Sequence, residues 1–364
     1  MTTPPRIWPA ICLAAAMLTI LAGGNAGAED GEFYVNTYRS IGNINPHGIR
    51  SAAMGRAGRG LADGMNSLGV NPAALGAFQG TQFDASLGYD WLDDGYDDTG
   101  QVSFKIGGAV NLDRWQSMAG PNQAVGGLLY TQNFSGAGLQ DMKRDQTALL
   151  AGYGIHLMDD LLAGVSVSLF SGKWKTSEQS DAATPYLDRK FIGGDFRVGG
   201  IYRVREETTI GGTLGYTTGS LKEKAAYASG AGSGSLDRYS IGVGVAHQYT
   251  DDTLLLGDLW YERLKSDVPG ILRESNKAWG LSVGVEQRVI PDLLALRGGL
   301  YYDRTSYSGG GPIASIVGVP SYSKGRFGLT AGVGVKMYNF DVGYSLDVNS
   351  GGDVKNLLDV SAEW

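Results

Sequence analysis

The sequence predicts an all-β chain, a transmembrane antiparallel β-barrel of about 14 strands with an N-terminal lumenal hatch. Three observations carry this reading. Short stretches alternate apolar and polar residues with no helices between them. Their connections alternate between tight and long. The last stretch ends on the C-terminal residue itself, Trp364.

Alternation places successive side chains on opposite faces of a strand. In the final stretch Leu358, Val360, Ala362 and Trp364 take one face, and Asp359, Ser361 and Glu363 the other. The same dyad runs through Phe83, Ala85, Leu87, Tyr89 and Trp91, and through Ala163, Val165, Val167 and Leu169. Over 253–263 the register faces Leu255, Gly257, Leu259 and Tyr261 to lipid, because the other parity exposes Asp258 and Glu262. Residues 158–160, 204–206, 250–252, 290–292 and 338–339 read as tight turns, and 135–144, 172–190, 217–237, 265–276 and 304–325 as long polar links. Short turns on one side and long loops on the other are the habit of outer-membrane barrels, which a sandwich has no reason to share. Residues 111–123 are long where a turn is expected. Aromatics such as Tyr202, Tyr249, Tyr302 and Tyr338 gather at strand ends, as interfacial girdles do.

Arg6, an apolar run to Ala22 and a small-residue exit to Ala28 mark residues 1–28 as a signal peptide, leaving 29–78 for the hatch and 79–364 for the barrel. The one cysteine, Cys12, lies inside that leader, so the mature chain is expected to hold neither a disulfide nor a cysteine-bound metal. A net charge of -7 without basic clusters argues against nucleic acid. His47, His156 and His247 are scattered, and no serine is placed to meet one. The expectation is no catalytic residues, no enzyme, no cofactor and no metal. The acidic run Asp93–Asp98 reads as a solvated loop bridged through cations to lipopolysaccharide.

The inward parity is small and polar. Gly107, Gly152, Gly154, Gly164, Gly211, Gly284 and Gly332 fall there, with Asp84, Lys105, Arg197, Glu286, Arg297 and Lys336 between them. Glycine in a strand is tolerated where another backbone approaches closely, and about fourteen strands enclose more space than side chains fill. The segment before the first strand is the available plug. Ala53, Ala57 and Leu61 share one helical stripe, beside Met54, Gly58 and Ala62. Asn71, held extended before Pro72, is placed to cap a turn through Ala73, Ala74 and Leu75 that Gly76 ends.

The stretch from Gly48 to Leu75, GIRSAAMGRAGRGLADGMNSLGVNPAAL, resembles the N-terminal hatch of the FadL/TodX family of outer-membrane transporters for hydrophobic compounds. Met54, Gly55, Ala57, Gly58, Leu61, Ala62 and Asp63 match its "MGxAGxxLAD" stretch, and Asn71, Pro72, Ala73, Ala74 and Leu75 its "NPA(G/A)L" motif. The resemblance implies a Gram-negative outer-membrane channel for passive uptake of hydrophobic molecules, long-chain fatty acids or hydrocarbons. Implied partners are outer-membrane lipid and lipopolysaccharide, and the barrel-assembly machinery, met through the strand ending at Trp364. A fatty acid needs a cation for its carboxylate. Lys105, Arg197, Arg297 and Lys336 are the lumenal candidates, unless they pair with Asp84, Asp195, Glu286 and Asp341. The PorV-like barrels of a secretion system carry a similar stretch, so docking or shuttling of secreted proteins without small-molecule transport is the alternative. The apolar stretch 313–320 suits either.

Overall fold

A computed structural model describes residues 47–93, 98–113, 122–136, 140–178, 187–225, 231–269, 272–310 and 321–364. The leader, residues 29–46, most of the acidic run and the apolar stretch 313–320 lie outside them. The strands are β1 (Thr81–Asp93), β2 (Asp98–Asn111), β3 (Gln123–Gly136), β4 (Gln140–Met158) and β5 (Leu161–Glu178). There follow β6 (Leu187–Arg205), β7 (Thr208–Ala225), β8 (Ala231–Thr250), β9 (Thr253–Val268) and β10 (Leu272–Ile290). The last are β11 (Leu294–Gly310), β12 (Ser321–Met337), β13 (Phe340–Asn349) and β14 (Val354–Glu363). Each pairs antiparallel with its sequence neighbours, and β1 pairs with β14 to close the barrel. The terminal residue completes the seam: Thr81 N–H donates to the Trp364 carbonyl at 2.8 Å, and Trp364 N–H donates back at 2.9 Å. Closure leaves no strand edge open to lipid, which a spanning sheet requires. Among the described residues no helix is long and apolar enough to cross a membrane. The strands do the crossing.

The outward faces are those expected. Leu169 and Phe327 are 64% and 67% exposed, whereas Asp258, on the inward parity of β9, is 3% exposed. Strand length departs from expectation. β8 runs for 20 residues, about twice what crosses a bilayer, so much of what reads as long loop is strand. β5 continues to Glu178 and β7 to Ala225. Alternation persists there, but Lys173, Lys175, Lys222 and Lys224 replace the apolar outward residues. That face meets water, and the change of polarity disguises the strand. The asymmetry is also incomplete, because β13 and β14 join through a tight turn on the long-loop side, where Gly352 N–H donates to the Asn349 carbonyl.

Residues 47–78 lie inside the barrel. Helix α1 (Ile49–Ala53) is only 5 residues long, which corrects the longer helix implied by Ala53, Ala57 and Leu61. The chain leaves it at Gly55 and Arg56, whose φ angles of 68° and 66° no right-handed helix holds. Beyond this bend it follows the wall rather than a helix axis. A 3-10 turn at Gly64–Ser67 and another at Pro72–Ala77 complete the segment. Asn71 is extended and its Oδ1 accepts from Ala73 N–H at 3.2 Å, as expected, although the turn includes Gly76 and stops at Phe78.

The segment winds past nearly the whole circumference, meeting an inward glycine on one strand after another. Ile49 lies over Gly343 of β13, Ala53 over Gly332 of β12, and Met54 over Gly299 of β11 and Gly284 of β10. Arg59 follows over Gly244 and Gly211, Asn71 over Gly199, Pro72 over Gly164, and Leu75 over Gly154. A Cβ at Gly332 would stand 2.5 Å from that of Ala53, and one at Gly154 2.5 Å from the backbone nitrogen of Gly76. No side chain fits at those distances. Gly164→Leu should therefore push the turn at Pro72 off the wall while the barrel, held by its ladder, still migrates fast on unboiled gels. Conductance in planar bilayers should rise, and unchanged conductance would mean that the segment does not seal the lumen.

Candidate functional site

The lumen has two zones. In the turn-side half the inner segment is tied to the wall by polar bonds. Arg50 forks onto Glu286 of β10, with Nη2–Oε1 at 2.6 Å and Nε–Oε2 at 2.8 Å, and Nη1 reaches Asp63 at 2.9 Å. Arg56 donates from Nε to Asp347 of β13 at 2.9 Å and from Nη2 to the Tyr301 hydroxyl at 2.8 Å, its guanidinium 4.1 Å from the centre of that ring. Arg59 Nη1 meets Asp258 of β9 at 2.9 Å, and Gly58 N–H donates to the same carboxylate at 3.0 Å. Thr330 bridges the chain by accepting from Gly55 N–H at 2.7 Å and donating to the Ala53 carbonyl at 2.8 Å. His47, enclosed by wall though its ring keeps some solvent contact, has its pKa pushed well below the ordinary range by burial and by Arg59, Arg56 and Arg197.

On the opposite wall the bonds are neutral. Asn71 Nδ2 donates to the Arg59 carbonyl at 2.7 Å and to that of Gly200 at 3.2 Å. Asn111 Nδ2 donates to the Phe78 carbonyl at 2.8 Å, and Asn122 Nδ2 to that of Gly76 at 3.1 Å. The two asparagines flank the unexpectedly long connection between β2 and β3, and so anchor the end of the lumenal segment.

The hatch-motif residues of the sequence come together here. Met54, Ala57 and Ala73 are fully buried, Gly55 and Gly58 give backbone donors, Asp63 receives Arg50, and Leu61 packs against Ala246, Leu254 and Leu256. The four lumenal cations are spread out. Lys105 Nζ is 3.0 Å from Asp84 and 3.8 Å from Asp359. Arg197 donates to the Gly69 carbonyl and stands 3.5 Å from Asp195. Arg297 Nε holds Glu286 at 2.7 Å. Lys336 is exposed and lines a cavity of about 500 Å³ at the turn-side mouth, with Arg50, Asp63, Arg288, Asp341 and Glu363.

The other half of the lumen corrects the expectation of a small, polar lining. Phe134, Phe170, Trp174, Phe191, Leu221, Leu236, Leu264 and Tyr307 form one buried cluster. Through it runs a polar brace. Arg189 of β6 donates to Glu223 of β7 at 2.7 Å and lies 3.9 Å from Glu274 of β10, which accepts from Ser266 at 2.8 Å and Tyr307 at 2.9 Å. Arg189 also lies 5.5 Å from the Trp174 ring. β6 and β10 are not neighbours, so the brace crosses the interior. A strand ended where its outer face turns polar leaves these residues out. Carrying the inward parity of Ser166 and Ser168 onward reaches Phe170 and Trp174 directly.

These features define a membrane-spanning barrel of fourteen strands filled by its own N-terminal segment on one side and by aromatic side chains on the other. Known structures share this architecture. The Ralstonia pickettii toluene transporter TbuX is similar with a TM-score of 0.61 at 16% identity, covering 88% of this chain and 99% of that one. A Pseudomonas aeruginosa FadL homologue gives a TM-score of 0.64 at 13% identity, over 87% and 98% of the two chains. The monoaromatic hydrocarbon channel CymD gives 0.59 at 15% identity, over 88% and 98%. No protein-family model matches the sequence, and no curated protein does either. At such identities the likeness is one of fold.

The ion pairs yield a double-variant test. Arg59→Met strands Asp258, whose side chain is 1% exposed, and breaking a buried pair from one side costs about 3–5 kcal/mol. Residues 50–59 should then be cut faster by protease in the folded protein. Arg59→Met with Asp258→Leu should recover most of the protection. Equal protection in all three forms would show that the pair does not dock the segment.

Proposed function

We propose that this protein is an outer-membrane channel of Gram-negative type for passive uptake of hydrophobic molecules, with residues 29–78 as its hatch. The observation that carries the reading is the cluster of Phe134, Phe170, Trp174 and Phe191 above the lumenal segment. A polar pore has no use for buried aromatic rings, whereas an apolar solute gains by leaving water for such a lining. The similarity to a toluene transporter and a monoaromatic hydrocarbon channel supports the same reading. Entry would run from the loop side into this cluster, and exit past the displaced hatch into the polar mouth. No coupling to ATP enters, so flux follows the gradient.

Of the two solute classes, uncharged hydrocarbons fit better than long-chain fatty acids. Lys105 and Arg297 are committed to wall carboxylates, and Arg197 holds the backbone of the segment at Gly69. A carboxylate at any of these three would have to displace one of these bonds, and Lys336 lies away from the aromatic cluster, at the turn-side mouth. Arg197→Ala is therefore expected to alter uptake of a fatty acid and of a hydrocarbon alike, by loosening the hatch. Selective loss of fatty-acid uptake would make Arg197 a ligand contact.

Deleting residues 29–75 tests the channel. The ladder is self-contained, so a barrel should still assemble, with sharply higher ion conductance and lost discrimination against hydrophilic solutes of similar size. Wild-type liposomes should admit toluene faster than protein-free ones. No acceleration by the intact protein, together with no rise in conductance on deletion, would overturn the reading.

A further inference from the structure

The aromatic half of the lumen holds buried polar groups that the brace does not use, a row of glutamines among them. Gln101, Gln132 and Gln146 stand on β2, β3 and β4, Gln132 and Gln146 directly opposite each other in register. Arg144 Nη2 donates to Oε1 of Gln101 at 2.7 Å and of Gln132 at 3.1 Å. Gln146 is 1% exposed, and neither its Nε2 nor its Oε1 has a hydrogen-bond partner among the described residues. A buried amide left without partners carries its full desolvation penalty, and such a group in a native lumen calls for an explanation.

Its surroundings supply one. The residue opposite Gln146 on β5 is Gly172, which puts no side chain beside the amide. The space over Gly172 is taken by the Phe191 ring, since a Cβ there would fall 2.7 Å from Phe191 Cε2. Phe170 leans the other way, its Cζ 2.6 Å from where a Cβ of Gly193 would be, and the two ring centroids are 6.3 Å apart. A donor and an acceptor therefore stand next to two rings, tilted 49° to each other and each set over a glycine of the adjoining strand.

We propose that Gln146, with Phe170 and Phe191, forms a subsite for the head of a neutral, hydroxyl-bearing aromatic molecule, a phenol. The proposal rests on the channel reading and narrows its substrate class. A phenolic hydroxyl donates to Oε1 and accepts from Nε2, so it meets both needs of the amide at once. The ring lies against Phe170 and Phe191 at the offset or tilted angles aromatic pairs prefer. A plain hydrocarbon makes the same ring contacts but leaves the amide unpaired. A carboxylate brings acceptors only and sets its charge against Oε1, and the Nη2 donor of Arg144 is already shared by two glutamines.

The test is equilibrium binding of p-cresol, toluene and p-toluate to the detergent-solubilised full chain. Wild type should bind p-cresol about 5–10-fold more tightly than toluene, the worth of one satisfied buried amide. Gln146→Leu should bring p-cresol down to the level of toluene without changing toluene, and the variant should keep the fast migration of a folded barrel. Gln146→Met serves if the leucine variant does not assemble. Equal binding of p-cresol and toluene by wild type would overturn the proposal. So would p-toluate binding as tightly as p-cresol, or a variant that loses both neutral ligands alike. If the p-cresol preference depends on Gln146 but liposomes show no flux of either solute, the channel reading falls and the subsite stands.

Discussion

Backbone laid against backbone, with no Cβ between, is the contact from which the rest of this molecule follows. A fourteen-stranded ring is too wide for wall side chains alone to fill, so its interior needs a second layer. The layer is chain, not solvent, because glycines such as Gly164, Gly199 and Gly332 let it come within reach of the ladder. Each of those glycines weakens its strand. The loss is offset where the lumenal segment lies down, since its peptide groups then find partners on the wall. Gly55 N–H meets Thr330 and the Gly60 carbonyl meets Thr209, while the Asn71 side chain donates to the Gly200 carbonyl of the wall. Glycine spacing and hydrogen bonding are thus two sides of one requirement, because a buried backbone must be paired.

The two flanks of the segment are held differently, and the difference decides how it can move. Towards β9, β10 and β13 the bonds are ion pairs made by Arg59, Arg50 and Arg56. Ion pairs can exchange contacts for water, and the cavity at the turn-side mouth brings water to Arg50, Asp63 and Glu286. Towards β4, β5 and β6 the turn at Pro72–Ala77 sits on glycines with Pro72, Ala73, Ala74 and Leu75 buried. Lifting it opens a void, with loss of contacts on both surfaces. A displacement of the segment therefore meets less resistance at Arg50, which faces that cavity, than at the turn or at the buried Arg59–Asp258 pair.

How much of this was legible depended on whether the deciding contact is local. Strand parity is local, so the lipid faces and even the less obvious register of β9, set by Asp258 and Glu262, could be read from alternation alone. The Asn71 cap was legible for the same reason, since extension before proline and a side-chain acceptor act within three residues. The short α1 was not, because small residues at helical spacing suit a helix and a wall-following coil equally. Only the wall, through the approach of Met54 to Gly284 and Gly299, selects the coil. The strand extensions were masked by an outer face that changes solvent before the strand ends. The ion pairs were least legible of all. Arg56 and Asp347 are separated by 291 residues, and nothing near either residue announces the other.

Placing apolar rings above and charge below has a consequence for any solute. In the aromatic half an uncharged molecule exchanges water for ring contacts. In the turn-side half it meets arginines and carboxylates already paired with one another, which offer it nothing. In the proposed channel, affinity would therefore fall along the path from loops to mouth, and a solute that passes the lumenal segment would not be retained beyond it. A charged solute faces the reverse order. It pays desolvation among Phe170, Trp174 and Phe191 first, and finds the polar mouth only afterwards. The brace of Arg189, Glu223 and Glu274 does not relieve that barrier, because its charges are compensated internally and buried to 0%, 0% and 5% side-chain exposure. Under the proposed function, selection for neutral molecules would thus be set by the sequence of environments along the lumen, before any individual side chain makes a choice among them.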